Sequence, residues 1–167
     1  MKEKTVKINS DDLEFLKISL TPPVFVCVGT DCVMGDTLGP VTGHLLTRKH
    51  NIPCYVYGTL TSPVTAKNIE EYFKYIEIKH PYNPVVVIDA ALGKKDDIGK
   101  IKVSDTGIIP GSAYKTNKKR YGDYAITAIV SENNDKGKED FKYVSLNLIS
   151  DLAETIAENI AGCFTNL

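Results

Sequence analysis

Short apolar runs alternate with stretches of helical periodicity through the first half of the chain. Residues 24–28 and 85–88 are continuous apolar runs, as expected of strands covered on both faces, and residues 52–57 predict a further strand. Ser62-Pro63 predicts the start of a helix that His80-Pro81 ends. Two helical stripes separate the strands: Leu38, Val41, Leu45 and Leu46, reaching to about His50, and Ile69, Tyr72, Phe73 and Ile76. This alternation predicts an α/β domain with a mostly parallel sheet.

The second half of the chain has a less regular pattern. Residues 100–103 and 107–109 predict short strands around a turn, residues 125–130 fit either a strand or a helix face, and residues 141–145 predict a strand. The polar residues 131–140 predict an exposed loop. A long amphipathic helix near the C-terminus is predicted by Leu148, Ile149, Leu152, Ala153, Ile156, Ala157 and Ile160.

Composition and charge narrow the class of protein. The 167 residues predict one domain, with its core in residues 22–165, and the 43% hydrophobic and 25% charged content is that of a globular protein. A net charge of -1 gives no basic surface, so we expect no nucleic-acid partner. Without a signal peptide or a membrane-spanning run, we expect a cytoplasmic protein with no membrane partner. The four cysteines lack zinc-site spacing; Cys27 and Cys54 are predicted in the core, and Cys32 is a weak candidate nucleophile.

The segment GTDCVMGDTLGP, residues 29–40, follows the first apolar run. A P-loop would have lysine after its second glycine, whereas Asp36 follows Gly35, and the glycines do not have dinucleotide-binding spacing. Asp31 and Asp36 would also repel a phosphate, so a phosphate site is disfavoured. Open α/β sheets place their functional crevice at the carboxyl ends of strands, which makes Asp36 a candidate site residue. Capping of the following helix is the alternative for its carboxylate.

A second carboxylate, Asp89, follows the apolar run in PVVVIDAALG, residues 84–93. Burial of a carboxylate is costly unless it is paired, hydrogen-bonded, protonated or bound to a metal. If the two strands are neighbours, Asp36 and Asp89 open into one crevice, where their pKa values separate and the pair can activate water and protonate a leaving group. The pair could also hold a divalent metal. The alternative for Asp89 is hydrogen bonding to backbone N–H groups of the next turn.

A third segment, KVSDTGIIPGS, covers residues 102–112. Its Asp-Thr-Gly is not the pepsin-like motif, because Lys102 and Ser104 flank the aspartate where pepsin-like proteases have apolar residues. Turn-forming residues account for much of this segment.

Taken together, GDTLGP (residues 35–40), VVVIDAALG (residues 85–93) and SDTGIIPGS (residues 104–112) resemble, in the same order, stretches of the germination protease of spore-forming bacteria. The length and the later GDYAIT (residues 122–127) are similar, more closely, to a family of small sporulation proteins of the YyaC type. A more distant similarity connects the chain to hydrogenase maturation endopeptidases. The resemblance implies a three-layer αβα sandwich with a mostly parallel mixed sheet, of the hydrogenase-maturation-protease type.

The resemblance also implies a chemistry. In the germination protease two aspartates are implicated in peptide cleavage, and they match Asp36 and Asp89. In the hydrogenase endopeptidases the matching acids join a histidine in binding nickel, and that histidine is missing here. We therefore expect an aspartate-dependent peptidase acting on a protein or peptide substrate in a sporulating cell or spore. We expect no cofactor, with a divalent metal on the aspartate pair left open.

Two further expectations follow from the same resemblance. A peptide- or ion-binding module without catalysis is the alternative function, and assembly into a homo-oligomer is left open.

Thr30, with backbone N–H groups of its loop, is a candidate for stabilising an oxyanion. The predicted supporting or substrate-binding residues are Thr30, Asp31, Asp105, Ser112 and Asp123.

Overall fold

The structure, a computed structural model, describes residues 8–110, 119–135 and 137–165. Its strands are β1 (Val24–Cys27), β2 (Tyr55–Tyr57), β3 (Val85–Gly93), β4 (Ile101–Ser104) and β5 (Tyr124–Glu132). Within the described residues they form one five-stranded sheet in the order β2-β1-β3-β5-β4. All neighbours are parallel except β4, which runs antiparallel to β5 at one edge. The predicted mostly parallel sheet is confirmed.

All three predicted helical stripes are helices in the structure. The helices are α1 (Glu14–Ile18), α2 (Leu38–His44), α3 (Ile69–Lys79), α4 (Gly137–Asp140) and α5 (Leu146–Gly162). A π-helical turn, Leu45–Lys49, continues α2 to the predicted end near His50. Single 3₁₀ turns occur at Ser10–Leu13, Met34–Thr37, Lys95–Asp97 and Phe141–Tyr143. No helix in the described ranges has the length and apolar character needed to cross a membrane.

Two apolar clusters cover the two faces of the sheet. Because side chains alternate along a strand, β1 directs Phe25 and Cys27 to one face and Val24 and Val26 to the other. The first cluster packs β1, β3 and β5 against α2 and α5, and the second packs β1 and β3 against α3. The protein is therefore a three-layer αβα sandwich, as the resemblance implied.

The start of α3 differs from the prediction. Ser62-Pro63 does not begin the helix, because Val64 pairs with Val28 as an isolated parallel bridge and keeps the chain extended. The Asn68 side chain then accepts the Thr65 N–H at 2.7 Å and donates to the Pro63 carbonyl at 3.2 Å. These bonds hold a turn ahead of Ile69, where the helix begins.

Several other local predictions needed correction. The ambiguous residues 125–130 belong to β5, a strand of nine residues that also includes Ser131, which was assigned to an exposed loop but is buried. Residues 52–57 form a strand only from Tyr55, because the Cys54 N–H turns back to the Ile52 carbonyl at 2.9 Å. The strand predicted at residues 107–109 is a single bridge between Ile108 and Tyr121. The strand predicted at residues 141–145 is wrong, since Phe141–Tyr143 is a 3₁₀ turn.

Candidate active site

Asp89 lies at the position in β3 where pairing with β1 has ended and pairing with β5 continues. The ladder with β1 ends at the Cys27–Ile88 pair, and the Val28 N–H donates to the Ile88 carbonyl at 2.8 Å. On the other side β5 stays paired with β3 as far as Gly93. The strand predicted at residues 85–88 is therefore longer than its apolar run: β3 continues to Gly93, and Asp89 is its first residue beyond the ladder with β1.

The Asp89 carboxylate accepts a backbone N–H that lies beyond the end of the ladder with β1. The N–H of Ala90, the next donor along β3 on the side of β1, donates to Asp89 Oδ1 at 2.9 Å. Alternation along β3 places the Asp89 side chain on the α3 face, with Val85 and Val87. The side chain is half-buried. The backbone N–H interaction considered from the sequence is thus present, and it occupies one carboxylate oxygen.

Asp36 lies in the 3₁₀ turn Met34–Thr37, directly before α2. The Thr30 N–H donates to the Asp36 carbonyl at 3.1 Å, which closes the loop against the end of β1. Only glycine fits at position 29, because its φ is +150° and a Cβ there would lie 2.0 Å from the Asp36 carbonyl oxygen. No side-chain hydrogen bond caps α2 in the described structure, so the carboxylate of Asp36 does not take the capping role considered as an alternative.

The two carboxyl groups are within electrostatic reach of each other. Burial first and the charge of Asp36 second raise the pKa of Asp89, the Ala90 N–H lowers it, and the net result is a pKa of about 8. Burial also raises the pKa of Asp36 above its ordinary value of 3.8. A like charge and a poorly solvated position both disfavour ionisation of Asp89. Both pKa values are raised, and Asp89 is the carboxyl group whose pKa reaches about 8, so Asp89 is the member of the pair that is favoured to hold a proton.

Thr30 and Asp31 lie on the same loop as Asp36. Thr30 Oγ1 accepts the Cys32 N–H at 3.2 Å, which leaves the hydroxyl proton available for donation. Asp31 is exposed, and its Oδ1 is 3.7 Å from the Sγ of the exposed Cys32. The N–H groups of residues 29, 30 and 36 donate to backbone carbonyls, so these three are not free to bind an oxyanion.

Comparisons of the sequence with known proteins identify the family of this chain. A family model described as protein of unknown function, DUF1256, matches residues 3–159. The chain belongs to the DUF1256 family. It is 32% identical over 140 residues to the uncharacterized protein YyaC of Bacillus subtilis (strain 168), covering 84% of this chain and 68% of that protein. The YyaC-type resemblance of the sequence motifs is thereby confirmed.

Solved structures of hydrogenase maturation proteases are similar to this DUF1256 protein. HycI from Thermococcus kodakarensis KOD1 superposes with a TM-score of 0.61 at 19% identity, covering 92% of this chain and 99% of HycI. HybD from Thermococcus kodakarensis gives a TM-score of 0.46 at 17% identity, covering 84% and 99%. The likeness to HycI shows a shared fold.

The DUF1256 chain places two of the predicted supporting acids at the opposite edge of the sheet. Asp123 precedes β5, and its Oδ2 accepts the N–H of Val85, the first residue of β3, at 2.8 Å. Asp89 is four positions further along the strand than Val85, or about 13 Å away. Asp105 follows β4, whose last residue pairs with Ala125 near the start of β5. Asp105 and Asp123 therefore do not join Asp36 and Asp89, and Ser112 lies outside the described residues.

Sequence reasoning missed two polar neighbours of Asp89. Thr127 is its partner on β5, and Lys102 is the partner of Thr127 on β4, so the three side chains form a row on one face of the sheet. Thr127 is half-buried and Lys102 is exposed. The signal was Thr127 itself, a polar residue within the apolar run 125–130, but the ambiguity of that run between strand and helix left its neighbours unassigned.

The donor set of this site does not fit nickel. Among the described residues, no three His, Cys, Asp or Glu side chains are grouped so as to hold a metal ion. Nickel sites favour imidazole donors, whereas this site offers two carboxylates. The nickel centre implied by the distant resemblance therefore has no counterpart in these residues.

Proposed function

We propose that this protein is a peptidase in which Asp36 and Asp89 hydrolyse a peptide bond of a protein or peptide substrate. The observation that carries the proposal is the separation of roles within the pair: burial and the charge of Asp36 raise the pKa of Asp89 to about 8. One group is then an acid and the other a base at the same pH. The fold shared with HycI, a hydrogenase maturation protease, supports the same reaction class.

The reaction uses the two carboxyl groups in turn. The ionised Asp36 takes a proton from a water molecule as the water oxygen attacks the carbonyl carbon. Asp89, whose Oδ1 accepts the Ala90 N–H, carries its proton on Oδ2 and gives it to the carbonyl oxygen. When the tetrahedral intermediate collapses, the C–N bond breaks and the proton on Asp36 passes to the leaving nitrogen. A hydroxyl proton returns to Asp89, which restores the starting state.

Cleavage of peptides by purified protein tests this assignment. We expect products, identified by mass spectrometry, from a peptide library or from a small acid-soluble spore protein. Loss of one member of an acid–base pair lowers the rate by about 10²- to 10⁴-fold, so Asp36→Asn and Asp89→Asn should each lose cleavage. Asp96→Asn, at an exposed aspartate, is the matched control. Cleavage that both Asn variants retain would rule out the pair as the catalytic group.

The cellular setting of this activity is a sporulating cell or spore. Support comes from the three sequence motifs that resemble the germination protease, and from the relationship to the YyaC type. We expect the protein to accumulate during sporulation in its source organism, as measured by immunoblotting of timed samples. Equal amounts in vegetative cells that never sporulate would count against this setting.

A non-catalytic peptide-binding module is the second candidate function. It is favoured by the loop geometry, because the N–H groups of Gly29, Thr30 and Asp36 are used within the protein and leave few donors for an oxyanion. On this alternative, peptides bind the site without turnover. Saturable peptide binding that Asp36→Asn weakens, together with no product after prolonged incubation, would favour it over the peptidase.

A further inference from the structure

A cavity of about 460 Å³ opens beside the end of β2, apart from the aspartate pair. Its volume falls within the range of about 300–1,000 Å³ typical of small-ligand sites. Three tyrosines, Tyr57, Tyr72 and Tyr75, contribute to its lining. The ring of Tyr57 lies 6.2 Å from that of Tyr72 at 64°, and 6.1 Å from that of Tyr75 at 75°. These contacts are edge-to-face, in which the edge of one ring meets the face of the other, and neither pair is stacked in parallel.

Hydrogen bonds hold two of the rings in place. The Tyr57 hydroxyl is 2.8 Å from His80 Nε2, and the Tyr72 hydroxyl is 3.1 Å from Ser62 Oγ. Tyr75 is half-exposed, with 48% of its surface accessible. The walls of the cavity are therefore largely preformed, which lowers the ordering entropy that binding would cost.

The lining of the cavity favours a cation. Glu71 is the one charged side chain among the described residues that line it. Aromatic faces attract ammonium and guanidinium groups within about 6 Å of the ring centroid. Lys79, in the last turn of α3 and outside the lining, places its Nζ 6.0 Å from the centroid of Tyr75, so this ring already interacts with a cation of the chain, and a basic ligand would share or displace that contact. Neutral aromatic faces combined with one carboxylate complement a positively charged side chain.

The cavity lies along the same edge of the sheet as the aspartate pair. The chain leaves β2 at Gly58, whose φ of +86° and close contact with the Cys27 carbonyl exclude a side chain. It then reaches Val64, whose carbonyl accepts the N–H of Gly29 at 2.8 Å, at the start of the Asp36 loop. Two strand spacings separate β2 from β3, or about 10 Å, which is the length of about three residues of extended peptide.

We propose that this tyrosine cavity is a substrate subsite that takes the lysine or arginine side chain of a peptide. Its placement about three residues from the cleaved bond rests on the proposed peptidase function. Binding of the basic side chain does not, since it depends only on Glu71 and the tyrosine rings.

Binding measurements on peptides with a single variable residue test the subsite. Acetylated, amidated hexapeptides carrying Lys, Arg, norleucine or Glu at one position would be titrated into isotope-labelled Asp36→Asn protein and followed by NMR. We expect the Lys and Arg peptides to bind at least about tenfold more tightly than the norleucine peptide, and the Glu peptide most weakly. Equal affinity for the Lys and norleucine peptides would overturn the proposal.

Variants within the cavity provide matched controls. In the same Asp36→Asn background, Tyr75→Leu and Glu71→Gln should each weaken binding of the Lys peptide by about three- to tenfold. Tyr75→Phe keeps the aromatic face and should retain binding. Tyr82→Leu alters a tyrosine that is 86% exposed and outside the cavity, and should leave binding unchanged. If Tyr75→Leu binds as well as the parent protein, the aromatic face is not the binding element and the subsite is wrong.

Cleavage assays with wild-type protein separate this proposal from the peptidase proposal. If basic peptides bind selectively and none is cut, the subsite stands and the peptidase function fails. If peptides are cut without preference for a nearby basic residue, and Tyr75→Leu cuts them equally well, the peptidase function stands and the subsite fails.

Discussion

Replacing Asp89 by asparagine should stabilise the protein above neutral pH. The unfolded chain ionises this carboxyl group near its ordinary pKa of 3.8, whereas the folded protein keeps the proton until about pH 8. The folded state therefore binds more protons in this window, and its free energy of unfolding falls as the pH rises, levelling off above the folded pKa. The amide of the Asp89→Asn variant has no charge to bury, so this loss of stability disappears in the variant.

The size of this difference in unfolding free energy follows from the pH interval over which the folded protein, but not the unfolded chain, keeps the Asp89 proton. Of the pH range between the unfolded pKa of 3.8 and the folded pKa of about 8, about three pH units lie below pH 7; each is worth about 1.4 kcal/mol, which sets an upper bound of about 4 kcal/mol on the stability lost by pH 7. Solvent reaches part of the half-buried Asp89, which reduces this figure, so we expect about 2–4 kcal/mol. With a typical urea dependence, the unfolding midpoint of Asp89→Asn should exceed that of wild type by about 1–2 M at pH 7–8.

Urea unfolding of both proteins at pH 5, 6, 7 and 8 measures this difference. The difference in unfolding free energy between Asp89→Asn and wild type should increase steadily from pH 5 to pH 8. Asp96→Asn, which removes an exposed carboxylate after the same strand, should show no widening. A gap that stays constant from pH 5 to pH 8 would refute the argument, because a constant offset reflects packing of the amide and not ionisation.

Three further outcomes follow from the same geometry. Peptide cleavage should lose activity on the alkaline side as Asp89 ionises near pH 8, and on the acid side as Asp36 takes up a proton; a rate that still rises at pH 9 would contradict these roles. Gly29→Ala should unfold at markedly lower urea than wild type, because its Cβ would lie 2.0 Å from the Asp36 carbonyl oxygen, whereas Gly162→Ala, with nothing within 4 Å, should not. Calorimetric titration with Ni²⁺ should give no tight binding that Asp36→Asn removes; such binding would show that the pair holds nickel.

Sequence reasoning succeeded where strand and helix patterns were strong. Apolar runs at residues 24–28 and 85–88 predicted two strands but left open whether they are neighbours; the structure pairs them, and this adjacency brings Asp36 and Asp89 together. It failed for Asp123, because an acid that precedes a parallel strand lies at the opposite edge from an acid that follows one. The direction and start of β5 decide between these cases, and residues 125–130 left even its type open.

The order of the strands explains why the two acids meet where they do. From β1 the chain passes to β2 on one side and then returns to β3 on the other, so the order reverses between β1 and β3. Open α/β sheets form a crevice at such a point, outside the carboxyl ends of the strands. Asp36 follows β1, and Asp89 is the first residue of β3 beyond the β1 ladder. The tyrosine cavity follows β2, one strand further along the same edge, so an extended peptide that reaches both sites must cross the Gly29 loop. Changes in that loop should therefore affect peptide binding and the aspartate pair together.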